Sequence, residues 1–178
     1  RHLLDSLMGN TTEAAPPDYI EELFDDYASS FDDSLVKELN YVVPKLIRAQ
    51  LDKIERDQPI QSVLDLGGGT GLVAAEIKEL VEPDSGIIHG VDLSSGMLEI
   101  ADQNHRYDQT FVADISAFLD DKKIGLAHYE LIIAGDVFVY IGNLDQVFSG
   151  AYARLEKSGC FIFTVEQSPD DDFGLQPT

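Results

Sequence analysis

At 178 residues with 44% apolar content and a mean hydropathy of −0.09, the chain suits one domain with a real core. No apolar run approaches the roughly 20 residues of a membrane span. Its 33 acids against 12 bases give a net charge of −21, a field that repels phosphate backbones and anionic lipid and argues against nucleic acid or a membrane as partner.

The single cysteine, Cys160, excludes an internal disulfide, and its apolar surroundings (Phe161, Ile162, Phe163) predict a buried small hydrophobe. His2, His89, His105 and His128 are scattered without metal-ligand spacing, so no metal is expected. The acidity serves solubility or favours a cationic ligand, and composition leaves both open. The opening RHLLDSLMGN lacks a starting Met and a long apolar segment. No signal peptide is therefore expected, residue 1 is not expected to be the natural start, and a cytoplasmic setting is expected.

In chain order, residues 1–17 read as a linker or the end of a preceding helical region, closing in GNTTEAAPP. Residues 18–58 read as a helical cap. Ile20, Leu23, Phe24 and Tyr27 share one helical side, Asp32 can cap a second short helix, and Pro44 suits the first turn of a third that runs to about Asp57. Pro59 ends that register, and residues 59–178 form the predicted core. Strands are predicted at 62–66, 86–91, 110–113, 129–134 and 159–165. Helices are predicted at 70–81, from Ser94 or Ser95 through Ala101, and at 144–155. Alternation of this kind predicts an α/β fold with a doubly wound, mainly parallel sheet of about five strands, covered on both faces.

The stretch VLDLGGGTGL places Asp65, Gly67, Gly68, Gly69 and Gly71 at the end of the first strand. Glycine is disfavoured inside regular structure and is worth its entropy where a chain must turn tightly or lie against a ligand. Asp92 ends the second strand, where a carboxylate can accept both hydroxyls of a ribose, and Asp114 ends the third, within reach of an attached base. Three acids at successive strand tips beside one glycine loop describe an adenosine-shaped site. Read from Gly69, the loop also satisfies the dinucleotide fingerprint, and Asp92 lies near the spacing of its ribose-binding acid, so a NAD(P)-dependent dehydrogenase stays open. Two features favour a cofactor without a pyrophosphate. Asp65 adds negative charge beside the ligand, which suits an ammonium, and Gly69 comes two residues late for the dinucleotide frame.

LDLGGGTG, VDLSSGMLEIA and VADI, in that order, resemble the class I S-adenosylmethionine-dependent methyltransferases. The resemblance spans about residues 18 to 167 and implies a Rossmann-like fold with S-adenosyl-L-methionine as cofactor and S-adenosyl-L-homocysteine as product. It implies that Asp65, Gly67, Gly68, Gly69 and Gly71 wrap the methionine part, that Asp92 holds the ribose diol, and that Leu93, Met97, Asp114 and Ile115 surround the adenine. Gly135, after the fourth strand, completes the implied cofactor set. The stretch LFDDYASSFDDSLVKELNYVVPKLI looks like the leading segment of methyltransferase domains that follow tetratricopeptide repeats, which makes Tyr27 either a lid over the cofactor or an ordinary core aromatic. The family's sheet closes with an antiparallel hairpin after strand 5, and too few residues follow Val165 for one. A shortened fold is therefore expected, with an uncovered strand 5 edge that invites self-association.

A hydroxyl or ammonium acceptor needs a base, and Asp136 or Tyr140 in GDVFVYIG are the candidate catalytic residues, against a loop or cap role for Asp136 and packing on the following helix for Tyr140. The acceptor, a small molecule or a protein side chain, is not specified. A non-catalytic cofactor-binding or interaction module is the further alternative.

Overall fold

The computed structural model describes residues 41–165 together with Phe24, Asp25 and Ala28. The helices expected before residue 41, and the lid candidate Tyr27, fall outside the described residues except for those three, which are helical.

The elements alternate as their patterning requires. Helix α1 (Val43–Leu51) precedes β1 (Ser62–Leu66), α2 (Leu72–Ile77), β2 (Ile87–Asp92), α3 (Ser95–Gln103), β3 (Gln109–Val112), α4 (Ile115–Asp120), β4 (Tyr129–Ala134), α5 (Asp145–Arg154) and β5 (Leu155–Phe163). Single 3₁₀ turns lie at Lys78–Leu80 and Phe138–Tyr140. The strands form one sheet in the order β3-β2-β1-β4-β5, every pair parallel, which is the doubly wound Rossmann-like arrangement expected.

Strand alternation divides the core in two. Val63, Ile88, Leu131 and Ile133 face α1 and α2, joining Ile47, Leu51, Val73, Ala74 and Ile77. Leu64, Leu66, Val91, Ile132 and Ala134 face the other way, joining Ile115, Phe118 and Leu119 of α4 with Val147 and Ala151 of α5. Every residue of β1 is buried, as a central strand covered on both faces must be. The order reverses at β1, which has β2 on one side and β4 on the other, so a crevice opens beyond its carboxyl end.

Several boundaries differ from the sequence expectation. Helix α1 stops at Leu51 instead of running to Asp57, because the Arg56 guanidinium donates to the Leu51 carbonyl and the next amides bond three residues back. The helix expected at 70–81 shrinks to α2 and one 3₁₀ turn. Gly71 caps its start with φ of 83°, and Val81 is drawn into a bridge with Ile60. Helix α4 went unforeseen, being short, although Asp114 caps it by accepting from the Ala117 amide (3.0 Å). Cys160 packs half-buried against the α1–α2 side, its thiol pushed up by burial and held protonated.

At the far end from the crevice, Arg154 is wholly buried. Its guanidinium donates to the carbonyls of Phe118, Asp121, Ile124 and Leu126, the last at 2.6 Å, and lies 5.0 Å from the Phe118 ring centre. A planar fork of donors is what the open C-terminal end of α4 requires.

Candidate functional site

The loop after β1 bends back over the sheet. Gly67, Gly69 and Gly71 have φ of 66°, 52° and 83°, the left-handed region that side chains disfavour. The amides of Gly67 and Gly68 both donate to the Val91 carbonyl at the end of β2 (2.8 and 3.1 Å), and the Gly71 amide donates to Gly68 O (2.9 Å). The loop therefore lies flat against β2, with its remaining surface turned to the crevice.

Asp92 sits where β2 ends. Its Oδ2 accepts from the Gly69 amide (2.8 Å) and its Oδ1 from the Ser94 amide (2.9 Å), so both oxygens are fixed while each keeps a lone pair for a ligand. Burial raises its pKa; the hydrogen bonds from Ser94, Gly69 and Leu93 oppose that, and the Asp25 charge adds to it. Ser94 caps α3, accepting from the Met97 amide (3.0 Å) while its hydroxyl donates to Asp25. The Gly96 amide also donates to Asp25 (3.0 Å).

Asp65 is 1% exposed yet contributes to the crevice floor. Its Oδ2 accepts from the Tyr107 hydroxyl (2.9 Å), which also lies 3.1 Å from Gly68 O. Burial pushes the carboxyl up to about 7; the Tyr107 hydrogen bond lowers it and the Asp92 charge raises it further. The Tyr107 ring crosses the sheet over Gly90, directly beside Asp65 in the β1–β2 register. A Cβ at Gly90 would stand 2.7 Å from that ring.

Together these residues enclose a cleft of about 290 Å³. It is lined by Asp65, Gly67, Gly68, Gly69, Asp92, Leu93, Met97, Asp114, Ile115, Gly135, Asp136 and Tyr140, all of which the sequence singled out. Gly71 does not line it. It stands at the start of α2, where a Cβ would lie 2.6 Å from the Arg106 side chain, so its place is structural. Sequence reasoning missed Phe24, Tyr41, Thr70, Leu72, Val73, Val137 and Ile141 in the lining, Tyr107 beneath it, and Thr164 beside it. The carboxylates of Asp65, Asp92, Asp114 and Asp136 all line the cleft, with no Lys, Arg or His among the described residues that line it.

Asp136 follows β4 with φ of 52°, and its backbone is held by Thr164 beyond β5. The Thr164 hydroxyl accepts from the Asp136 amide (2.7 Å) and donates to its Oδ1 (3.0 Å). Tyr41 lines the cleft with the same carboxylate; burial foremost, then the Asp136 charge, raises the Tyr41 pKa and keeps it protonated. Phe24 meets Tyr140 edge to face, with ring centres 5.4 Å apart. Among the described residues no cluster of ligating side chains could hold a metal, and no helix is long and apolar enough to cross a membrane.

A glycine loop and acid-tipped strands at the switch point of a parallel sheet define a nucleotide-type cofactor crevice in a Rossmann-like protein. The match is more particular than that. Residues 64–161, over half of the chain, match the family described as methyltransferase domain, and the chain belongs to that family. A Haemophilus influenzae protein of uncharacterised function is 29% identical over 110 residues, covering 60% of this chain and 42% of its own length. A solved Methanococcus maripaludis protein, assigned as an S-adenosyl-L-methionine-dependent methyltransferase, superposes with a TM-score of 0.62 at 17% identity, covering 78% of this chain and 62% of its own. The magnesium protoporphyrin IX methyltransferase of Synechocystis, solved with bound S-adenosylhomocysteine, superposes at 0.58 with 13% identity, covering 79% of this chain and 68% of its own. The fold is thus the class I methyltransferase fold. The chain spans less than two thirds of the length of the Haemophilus and Methanococcus proteins.

Proposed function

We propose that this domain binds S-adenosyl-L-methionine in the cleft and transfers its methyl group to a small molecule or a protein side chain, releasing S-adenosyl-L-homocysteine. The observation that carries the reading is a crevice in which four acids are the charged side chains among the described residues, with its central carboxylate, Asp92, already oriented by two backbone amides. A cofactor with a sulfonium and an ammonium fits such a lining. A pyrophosphate would lie against buried Asp65 with no cation among the described residues of the wall, which disfavours the dinucleotide reading.

In this reading Asp92 accepts the ribose hydroxyls and Asp65 pairs with the ammonium. Gly67, Gly68 and Gly69 let the main chain lie along the amino-acid tail. Leu93, Met97 and Ile115 flank the adenine, Asp114 faces its amino group, and Gly135 borders the tail. When bound, the cofactor supplies a methyl on a positively charged sulfur, which an acceptor lone pair displaces as sulfur keeps the bonding pair. The protein's share is alignment and exclusion of water.

The same proposal takes residues 18–58 as a cap over the 59–178 core, supported by Phe24 and Tyr41 in the cleft wall. It takes residues 1–17 as a connection to tetratricopeptide repeats, on the likeness of the leading segment. It takes the β5 edge, where Phe163 and Val165 are exposed, as a surface for self-association. The test of the cofactor reading is a thermal-shift comparison. S-adenosylhomocysteine should raise the melting temperature of the wild type and not of Asp92→Ala, with NADH inert. A shift with NADH alone would hand the crevice to a dinucleotide.

A further inference from the structure

We infer that the acceptor is an amine, recognised as its ammonium ion by Asp136 within an aromatic wall of Phe24, Tyr41 and Tyr140. The inference rests on the cofactor reading above and deepens it. Asp136 lies at the end of β4, across the switch point from Asp92, and its residue is exposed whereas Asp65 is buried. The left-handed backbone at Asp136 is fixed by the reciprocal Thr164 pair, and Tyr41, just before α1, lines the cleft with it. Thr164, 28 positions away in sequence, thus fixes both the amide and the carboxylate of Asp136, a degree of support that an incidental loop residue does not require. Aromatic faces with a carboxylate form the standard receptor for an organic cation. The described residues of the lining carry acids and no cation, which favours a cationic acceptor over an anionic one, and the chain's net charge of −21 extends the same preference outward.

An ammonium has no lone pair until it loses a proton. Exposed Asp136 accepts that proton by hydrogen bond and passes it to bulk water, leaving a neutral amine held against the aromatic wall. Asp136 is the group that touches the acceptor; Thr164 is a positioning residue.

The experiment is calorimetric titration of the full chain saturated with S-adenosylhomocysteine. The probes are butylamine, Nα-acetyl-lysine methylamide, 1-butanol and butyrate. Both amines should bind on the order of tenfold more tightly than 1-butanol, the scale of a charge-assisted contact, and butyrate should not bind. A stronger signal for the lysine derivative points to a protein side chain as the source of the amine, and for butylamine to a small molecule. Asp136→Asn should bring amines and alcohol to similar affinity with S-adenosylhomocysteine binding retained. Thr164→Val, a milder change, should reduce the amine preference partway. Equal wild-type affinity for amine and alcohol, no amine binding, or an amine preference that survives Asp136→Asn overturns the inference. Failure of S-adenosylhomocysteine to bind the wild type is a separate result, which overturns the cofactor reading itself.

Discussion

Replacing Asp65 by Asn should make the ligand-free domain more stable and a worse binder. The carboxyl is pushed from 3.8 to about 7 by burial, so the folded state holds a proton that the unfolded state releases across that range. Below the unfolded value both states are protonated and nothing is lost. As pH climbs from the unfolded to the folded value, stability falls, and above the folded value it levels off. About three units at about 1.4 kcal/mol each give a loss on the order of 4 kcal/mol. Asn has the same shape and its amide oxygen can still accept from the Tyr107 hydroxyl, but it carries no charge to desolvate. Urea unfolding followed by circular dichroism, suited to a chain without tryptophan, should show the advantage of Asp65→Asn growing by about 2–3 kcal/mol between about pH 5 and pH 8. Other carboxylates contribute to both proteins and cancel in the difference. At about pH 8 the variant should bind S-adenosylhomocysteine much more weakly than the wild type, having no charged partner for the ammonium, and the gap should narrow toward about pH 5, where wild-type Asp65 is protonated. Parallel stability profiles, or a variant that binds as well as the wild type, would refute the assignment of Asp65 as a buried, ligand-facing charge.

Other outcomes follow from the same geometry. Wild-type affinity for S-adenosylhomocysteine should strengthen as pH rises to about 7 and then flatten, measured by titration calorimetry, because the ammonium pairs with ionised Asp65. Gly90→Ala should cost about 1–3 kcal/mol in urea unfolding, because its methyl would stand 2.7 Å from the Tyr107 ring. In a Tyr107→Ala background the same change should be close to neutral, a double-mutant cycle that locates the clash. Arg154→Met should cost about 3 kcal/mol or more by the same assay, since four buried or half-buried carbonyls lose a charged donor.

The acids of the site were legible in the sequence because strand ends are. An apolar run closing on Asp65, Asp92 or Asp114 fixes where each carboxylate stands once the sheet is parallel, and the glycines beside the first mark the switch point. The sheet followed from alternation alone. What stayed hidden are side chains whose partners are distant in sequence. Tyr107 reaches Asp65 across 42 positions and Thr164 reaches Asp136 across 28, and neither has a local pattern that announces it. Gly90, an unexplained glycine within a strand, was the one trace of Tyr107, since a missing side chain there signals a close neighbour. Arg154 was hidden for a related reason: a cation in the last turn of a helix reads as a solvated end, and only tertiary packing turns it inward onto the carbonyls around α4.

The most direct test of the central claim is a crystal structure of the chain soaked with S-adenosylhomocysteine. Density should run along the glycine loop, with both ribose hydroxyls on Asp92, the amino group on Asp65, and the adenine between Leu93 and Ile115. Density elsewhere on the surface, or a ligand in the crevice with its ribose turned away from Asp92, would contradict the account.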